Sequence, residues 1–384
     1  MLHSISVIGQ SNSQSIRMLT RGYMKAAVLR QVDALLDIEE VNVDNPGPRE
    51  VLIQTGASGV CHSDLHFVEG KYSITMPAIL GHEAAGSVLK VGTQVTYVRP
   101  GDTVITCLSV FCGHCEFCLR GQPVLCTRTD VVRQRDEPPR LSQGDTPITQ
   151  FAQLGSYAEQ MLVHENALVK VRDDVPFDRL ALIGCGATTG LGAALNTAKI
   201  EPGSTVAVLG CGGVGLNCIQ GAALGGALRI IAVDTVETKL TMARDFGATD
   251  VVDASSGDVV QKILDLTDGG VDYSFEAIGL KETAEQCYEM LRPGGAATII
   301  GMIPEGTKIE IDAGNFLRRE RRIQGSSMGS NRFRTDMPRY IEFYLQGRLK
   351  LDELVSQHVK LSQINEAFQD MKDGNVARSV ITFD

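Results

Sequence analysis
The stretch at residues 204–234, STVAVLGCGGVGLNCIQGAALGGALRIIAVD, limits what this chain can fold into more than any other. TVAVL is a short unbroken apolar run, which reads as a strand buried on both faces. The helical segment GVGLNCIQGAALGGA follows, and RIIAVD is a second apolar run. Two parallel strands joined through a helix form one crossover unit. The alternation continues through TKLTMARDFGA, DVVD, VVQKILDLT, VDYSFEAIG, ETAEQCYEML and AATIIGMIP. The class is therefore α/β, and a doubly wound parallel sheet of the Rossmann kind is predicted over residues 187–323.

The first strand–helix junction carries Gly210, Gly212 and Gly215 as G-x-G-x-x-G. Gly210 allows a tight turn, Gly212 lets backbone approach a pyrophosphate, and Gly215 lets helix pack on strand. The helix start, with Gly213 and Val214, offers free N–H groups to phosphate oxygens. Asp234 ends the second strand, 22 residues after Gly212. A carboxylate there accepts from a ribose 2′-OH and repels a 2′-phosphate, so NAD is expected over NADP. The glycines alone are weak; the strand before, the helix after and the acid beyond give them meaning.

Residues 24–186 have another texture. KAAVLR, EVLIQTGASGV and DTVITCL are β-rich, and NPGPRE marks a turn. Residues 128–150, polar and with three prolines, are predicted to be a long loop. Beyond residue 324 the regular alternation ends, and GNVARSVITFD closes on a short strand. A chain that starts β-rich, inserts an α/β unit and returns suggests a divided domain, 24–186 with 324–384, around residues 187–323. Residues 1–23 are Ser-rich, carry Arg17 and Arg21 and lack acids. That composition suits a weak transit peptide, but no clean amphipathic face supports it, so an extended or alternative start is expected.

CGHCEFCLRGQPVLC sets Cys112, Cys115, Cys118 and Cys126 at C-x2-C-x2-C-x7-C, in a lobe at residues 107–127. Four thiolates suit tetrahedral zinc in a closed site. An iron–sulfur cluster is the competing reading, but ferredoxin spacing has x3 and then Pro at the fourth cysteine. A closed site has no room for substrate, so this motif reads as a staple. Reactive zinc needs three protein ligands and an open position. Cys61 in GVCHSD, His82 in LGHEAAG and Cys185 in LIGCGATTG are candidates, though nothing in their spacing joins them.

Taken together, GVCHSDLHFVEGKY, PAILGHEAAGSV, the four-cysteine lobe, LIGCGATTGLGAALNTAKIEPGSTVAVLGCGGVGLNCIQGA and GNVARSVITF resemble the zinc-dependent medium-chain alcohol dehydrogenases. The resemblance runs from about Met24 to the C-terminus. It implies a β-rich, GroES-like catalytic domain beside the cofactor domain. It implies catalytic zinc on Cys61, His82 and Cys185, structural zinc on the lobe cysteines, Asp64 orienting His82, and Glu83 beside the metal. Zinc would polarise a substrate oxygen while hydride passes between alcohol and NAD. Ser63 and His66 occupy the places of the proton relay. His62, Lys239 and Arg378 match cofactor-binding positions. Leu108, Phe151, Met302 and Ile323 fall around the alcohol pocket.

All four are apolar, so an apolar or aromatic primary alcohol is the first expectation. The alternatives are a polyol or S-(hydroxymethyl)glutathione. The glutathione branch uses an acid where Tyr72 stands and an Arg where Asp130 stands, with Arg128 nearby. The family forms dimers and tetramers, and a homodimer is expected, with AATIIGMIP pairing edge to edge. A net charge of −10 argues against a nucleic-acid partner, and no apolar run of about 18 residues predicts a membrane span. Ten cysteines, scattered apart from one cluster, favour metal thiolates in a reducing compartment, the cytoplasm.

Overall fold
The computed structural model describes residues 22–127, 130–134, 136–374 and 376–383. Of the segment read as an extension, only Gly22 and Tyr23 are among them, and they open the first strand, Gly22–Leu29. The rest of that reading lies outside the described residues.

Six strands form a wholly parallel sheet. Its spatial order is Asp250–Asp253, Arg229–Asp234, Thr205–Leu209, Val271–Glu276, Leu291–Ile299, Arg322–Gly325. In chain order this is 3-2-1-4-5-6, the doubly wound arrangement. The order reverses between Thr205–Leu209 and Val271–Glu276, and ligands of such sheets bind in the crevice at the carboxyl ends there. AATIIGMIP is not the edge. Residues 296–299 pair on one side with 273–276 and on the other with 322–325. The open edge belongs to Arg322–Gly325, a strand too short and polar to stand out in sequence.

The β-rich part is organised by the ten-residue strand Glu50–Gly59. It pairs antiparallel with Ala84–Val91, Gln160–His164 and Ser379–Thr382. The last of these is the chain's returning C-terminal strand. The predicted loop at 128–150 is only half a loop. Leu141–Gln143, Thr146–Pro147 and Thr149–Gln150 add short strands to a second sheet. Arg133 and Arg140 hold this segment down by pairing with the buried Glu50, at 2.5 and 2.6 Å.

One helical stretch, Phe177–Ala198, runs through the expected boundary at residue 187. Among the described residues it alone is long and apolar enough to cross a membrane, but 83% of its most apolar window is buried inside the protein. It is a core helix. A single apolar cluster joins Ala57 and Ile105 of the β-rich part, Leu182 and Leu191 of the helix, and Val206 and Phe275 of the parallel sheet. The helix therefore fixes the two parts against each other along the crevice.

Candidate active site
Cys61 and His82 come from neighbouring strand ends. Glu50–Gly59 stops two residues before Cys61, and Ala84–Val91 starts two residues after His82. The strands are in register there, with Ser58 opposite Ala84 and the Gly59 amide donating to the Glu83 carbonyl at 2.7 Å. Cys185 arrives from the core helix. Residues 183–187 form a π-helical turn, a local widening that often marks functional sites. The donor atoms of Cys61, His82 and Cys185 all lie within 4.8 Å of one another, and all three residues are buried. His82 Nε2 is 3.2 Å from Cys185 Sγ. Zinc bonds of ~2.05 Å to N and ~2.3 Å to S span roughly 3.6 Å at a tetrahedral angle, so this donor set fits zinc with little movement.

Asp64 completes the cluster. Its carboxylate lies 3.1 Å from His82 Nδ1 and also accepts from the Gly81 amide and the Tyr157 hydroxyl, at 2.8 and 2.9 Å. Burial opposes charge on His82, yet the Asp64 carboxylate outweighs it and raises the His82 pKa. Asp64 thus keeps a proton on Nδ1 and leaves Nε2 facing the thiols. Tyr157, fully buried, was not singled out from sequence. Its only sequence signal is an aromatic in LGSYAEQ, which any core would supply. The hydrogen bond from Cys185, then the positive charge of Arg378, hold the Cys61 thiol well below the ordinary cysteine range. Replacing Asp64 by Asn is expected to weaken zinc binding at this triad by about 10- to 100-fold, measured by chelator competition.

Glu83, grouped from sequence with the metal residues, lies outside the donor triad. It is buried, with Oε1 accepting weakly from the Gly186 amide at 3.4 Å and Oε2 4.0 Å from Arg378 Nη1. Burial pushes its carboxyl up to about 7, against the pull of Arg378.

The lobe cysteines also converge, with donor atoms within 4.8 Å. Cys112 and Cys118 sulfurs are 4.0 Å apart, and those of Cys115 and Cys126 are 3.9 Å apart. A tetrahedron of ~2.3 Å Zn–S bonds has edges of roughly 3.8 Å. Backbone amides point at the sulfurs: Cys112 N donates to Cys126 Sγ at 3.1 Å, and Cys115 N to Cys112 Sγ at 3.3 Å. The amides of Cys118 and Thr127 hold the Cys115 thiol at about 6. Such donors favour thiolates, the form that binds metal.

Across the crevice, Gly210 adopts φ +93°, a turn that favours glycine. A methyl group on Gly215 would sit 1.7 Å from the Gly210 carbonyl, so only hydrogen lets the helix start this close. The helix Gly213–Leu224, with Val214 and Gly215 in its first turn, has no side-chain cap at Gly212. The space where a Gly212 side chain would stand is open. Free N–H groups above an open floor suit a pyrophosphate. Asp234 turns one carboxylate oxygen to the Cys211 amide at 2.8 Å and the other to the Val236 amide at 3.0 Å. Arg378 is buried and packed against Gly213, and the charges of Arg378 and Lys239 both bear on His62. Arg378 and Lys239 therefore bring positive charge to the turn, while burial, and then those charges, lower the His62 pKa and leave its ring neutral at neutral pH.

Ser63 and His66 share one face of the short helix His62–Val68. Ser63 Oγ is 3.7 Å from Cys61 Sγ. His66 Nδ1 is buried without a hydrogen-bond partner. Burial, then the charge of Lys71, lowers the His66 pKa, so the ring is neutral at neutral pH and can accept a proton.

Phe151 stands edge-on to His82, ring centroids 5.4 Å apart. Phe67, also missed from sequence, packs on Phe151 at 4.5 Å and on Tyr72 at 5.8 Å. The Tyr72 hydroxyl donates to the Ile303 carbonyl at 2.8 Å, across the crevice. Met302 lies beside Gly279, at the carboxyl end of the fourth parallel strand. Leu108 is half-buried against the cluster that holds Val110 and Cys112. Ile323 is not brought to the site. It lies in the edge strand opposite Ala297 and packs with the parallel-sheet core around Val271 and Leu291, because strand alternation turns it there. Asp130 lies beside His114 on the lobe, and Arg128 is outside the described residues.

The family profile described as "Alcohol dehydrogenase GroES-like domain" matches residues 47–173, and "Zinc-binding dehydrogenase" matches residues 213–346. The chain is 38% identical to "Alcohol dehydrogenase class-3" of Cereibacter sphaeroides over 374 residues, which is 94% of this chain and 99% of that one. It is 37% identical to "S-(hydroxymethyl)glutathione dehydrogenase" of Paracoccus denitrificans, with the same coverage. Its structure is similar to that of benzyl alcohol dehydrogenase from Acinetobacter calcoaceticus, with a TM-score of 0.89 and 32% identity, covering 94% of this chain and 100% of that one. With both profiles matched in order on a chain that holds both cysteine sites and the dinucleotide turn, this protein belongs to the zinc-dependent medium-chain alcohol dehydrogenases, enzymes that use zinc and a nicotinamide dinucleotide.

Proposed function
We propose that the chain oxidises a primary hydroxyl compound with NAD⁺, and reduces the carbonyl in reverse, at a zinc held by Cys61, His82 and Cys185. The observation that carries this reading is the meeting of those three side chains beside the crevice of the parallel sheet. Cys112, Cys115, Cys118 and Cys126 would hold a second, structural zinc. When bound, the catalytic zinc polarises the substrate oxygen, and the nicotinamide exchanges hydride with the carbon. The chain's own work is to bind, orient and move the proton. Gly210, Gly212, Gly213, Val214 and Gly215 present backbone to the pyrophosphate, Lys239 and Arg378 balance its charge, and His62, its ring neutral, can hydrogen-bond to it. Ser63 can donate and accept at one atom, and passes the proton toward His66. Asp234, already fixed by two amides, selects the unphosphorylated ribose. Asp234→Ala should cut the NAD/NADP preference by about 10- to 100-fold, from the ~1.5–3 kcal/mol of a charge-assisted hydrogen bond. Comparing kcat/KM for the two cofactors measures this, and an unchanged ratio removes Asp234 from the ribose.

For the substrate, the names of similar relatives favour S-(hydroxymethyl)glutathione, the reading that sequence placed second. The second reading, an apolar or aromatic primary alcohol, is favoured by one observation: the Phe67–Phe151–Tyr72 ring wall that reaches His82. Steady-state kinetics with formaldehyde plus glutathione, against benzyl alcohol and longer aliphatic alcohols, decides between them. Turnover only with the thiol adduct supports the first; turnover of benzyl alcohol without glutathione supports the second; no NADH from any of them overturns both.

The division into 24–186 plus 324–384 around 187–323 is retained, with the core helix shared between the parts. The ten cysteines, none in a disulfide, support the cytoplasm. A homodimer through the open edge of Arg322–Gly325 is supported by the exposed Phe316 and Leu317 just before it.

A further inference from the structure
The lobe carries a second constellation that the function above does not use. Cys112 Sγ, a His114 ring nitrogen and an Asp130 carboxylate oxygen lie within 4.8 Å of one another. His114 Nε2 is 3.5 Å from Asp130 Oδ2, and their side chains are 65% and 41% exposed. Cys112 is buried and belongs to both sets. One sulfur is therefore within reach of three other cysteines and also of an imidazole and a carboxylate.

We propose that Cys112, His114 and Asp130 form an outer landing site for a divalent metal ion, through which the four-thiolate site is loaded and exchanged. The proposal rests on the reading of that site as a zinc site. A zinc ion held by four thiolates has no free position, and leaving directly for water would break four bonds in turn. A thiolate sulfur keeps spare lone pairs, so Cys112 can stay bonded to the ion while the other cysteines let go. Imidazole and carboxylate are the remaining donors that zinc accepts. The ion thus keeps three protein ligands at the surface and completes its shell with water. Loading runs the other way: Cys115, Cys118 and Cys126 replace His114, Asp130 and water, and each thiol that binds releases its proton to solvent. Both rim residues are exposed, so changing them does not open the core.

The test is metal exchange in the intact, zinc-loaded enzyme. Wild type and the double variant His114→Gln/Asp130→Asn are mixed with a chromogenic chelator, and zinc release is followed by absorbance. In parallel, added Cd²⁺ is followed by growth of the ultraviolet thiolate-to-cadmium band. The expected result is that the lobe metal exchanges about ten-fold more slowly in the variant, with the same final zinc content and thermal midpoint. An unchanged rate, or a faster one as from a lost cover, overturns the proposal. A wild-type zinc content of one per chain, with alcohol turnover intact, would instead show that the four-cysteine reading itself had failed.

Discussion
Cys185→Ala is expected to yield a folded protein that binds NAD⁺ and makes almost no NADH, with kcat/KM for alcohol lower by about 10³-fold or more. Cys185 is buried, and its sulfur is 3.2 Å from His82 Nε2. Removing it leaves two protein ligands, Cys61 and His82, for the zinc proposed there. Sulfur and hydrogen are all that is lost in volume, so the cost in folding is about 1 kcal/mol. The measurements are NADH formation, zinc content and calorimetric NAD⁺ binding. Zinc should fall by one equivalent per chain while NAD⁺ binding persists. A variant that keeps its full zinc and its turnover removes Cys185 from the site.

Cys115→Ala is expected to do the opposite. The lobe has little structure of its own: a four-residue helix at Glu116–Leu119 and a 3₁₀ turn at Pro123–Leu125, with no buried residue in either. A zinc on the four cysteines would supply the core that this segment lacks, since structural zinc contributes folding energy directly. The variant should lose one zinc and inactivate much faster on heating, while kcat per correctly folded chain stays within about two-fold of wild type. Thermal inactivation half-lives beside active-site titration separate these effects. A stable Cys115→Ala protein without activity would exchange the roles of the two sites.

The parallel sheet was legible because its strands are unbroken apolar runs and its first turn is spelled in glycines. The edge strand Arg322–Gly325 was not, because four residues with two polar side chains carry no period. The short strands within 141–150 were hidden for the same reason, beneath prolines and polar residues. Of the site, the four lobe cysteines announced themselves by proximity in sequence. Cys61, His82 and Cys185 could be joined only by family resemblance, since strand pairing and a π-helical turn bring them together. Ile323 was misplaced because a four-residue edge strand does not reveal from sequence which face of the sheet each side chain takes. Tyr157 and Phe67 carry no chemical signature beyond aromatic bulk, so only packing reveals that one steadies Asp64 and the other lines the wall.

The hydrogen bond from Tyr72 to the Ile303 carbonyl has an energetic consequence. The ring wall sits on the β-rich part, while Ile303 follows the fifth parallel strand on the cofactor side. On the proposed function, free energy that a dinucleotide contributes to settling that loop is shared with the wall, and so with a substrate lying against it. Linkage makes the sharing symmetrical: a bound dinucleotide tightens the alcohol by the factor with which the alcohol tightens the dinucleotide. Because the coupling is reciprocal, the doubly bound state is equally stable whichever ligand arrives first, and that one hydroxyl joins the two halves of the crevice that share it.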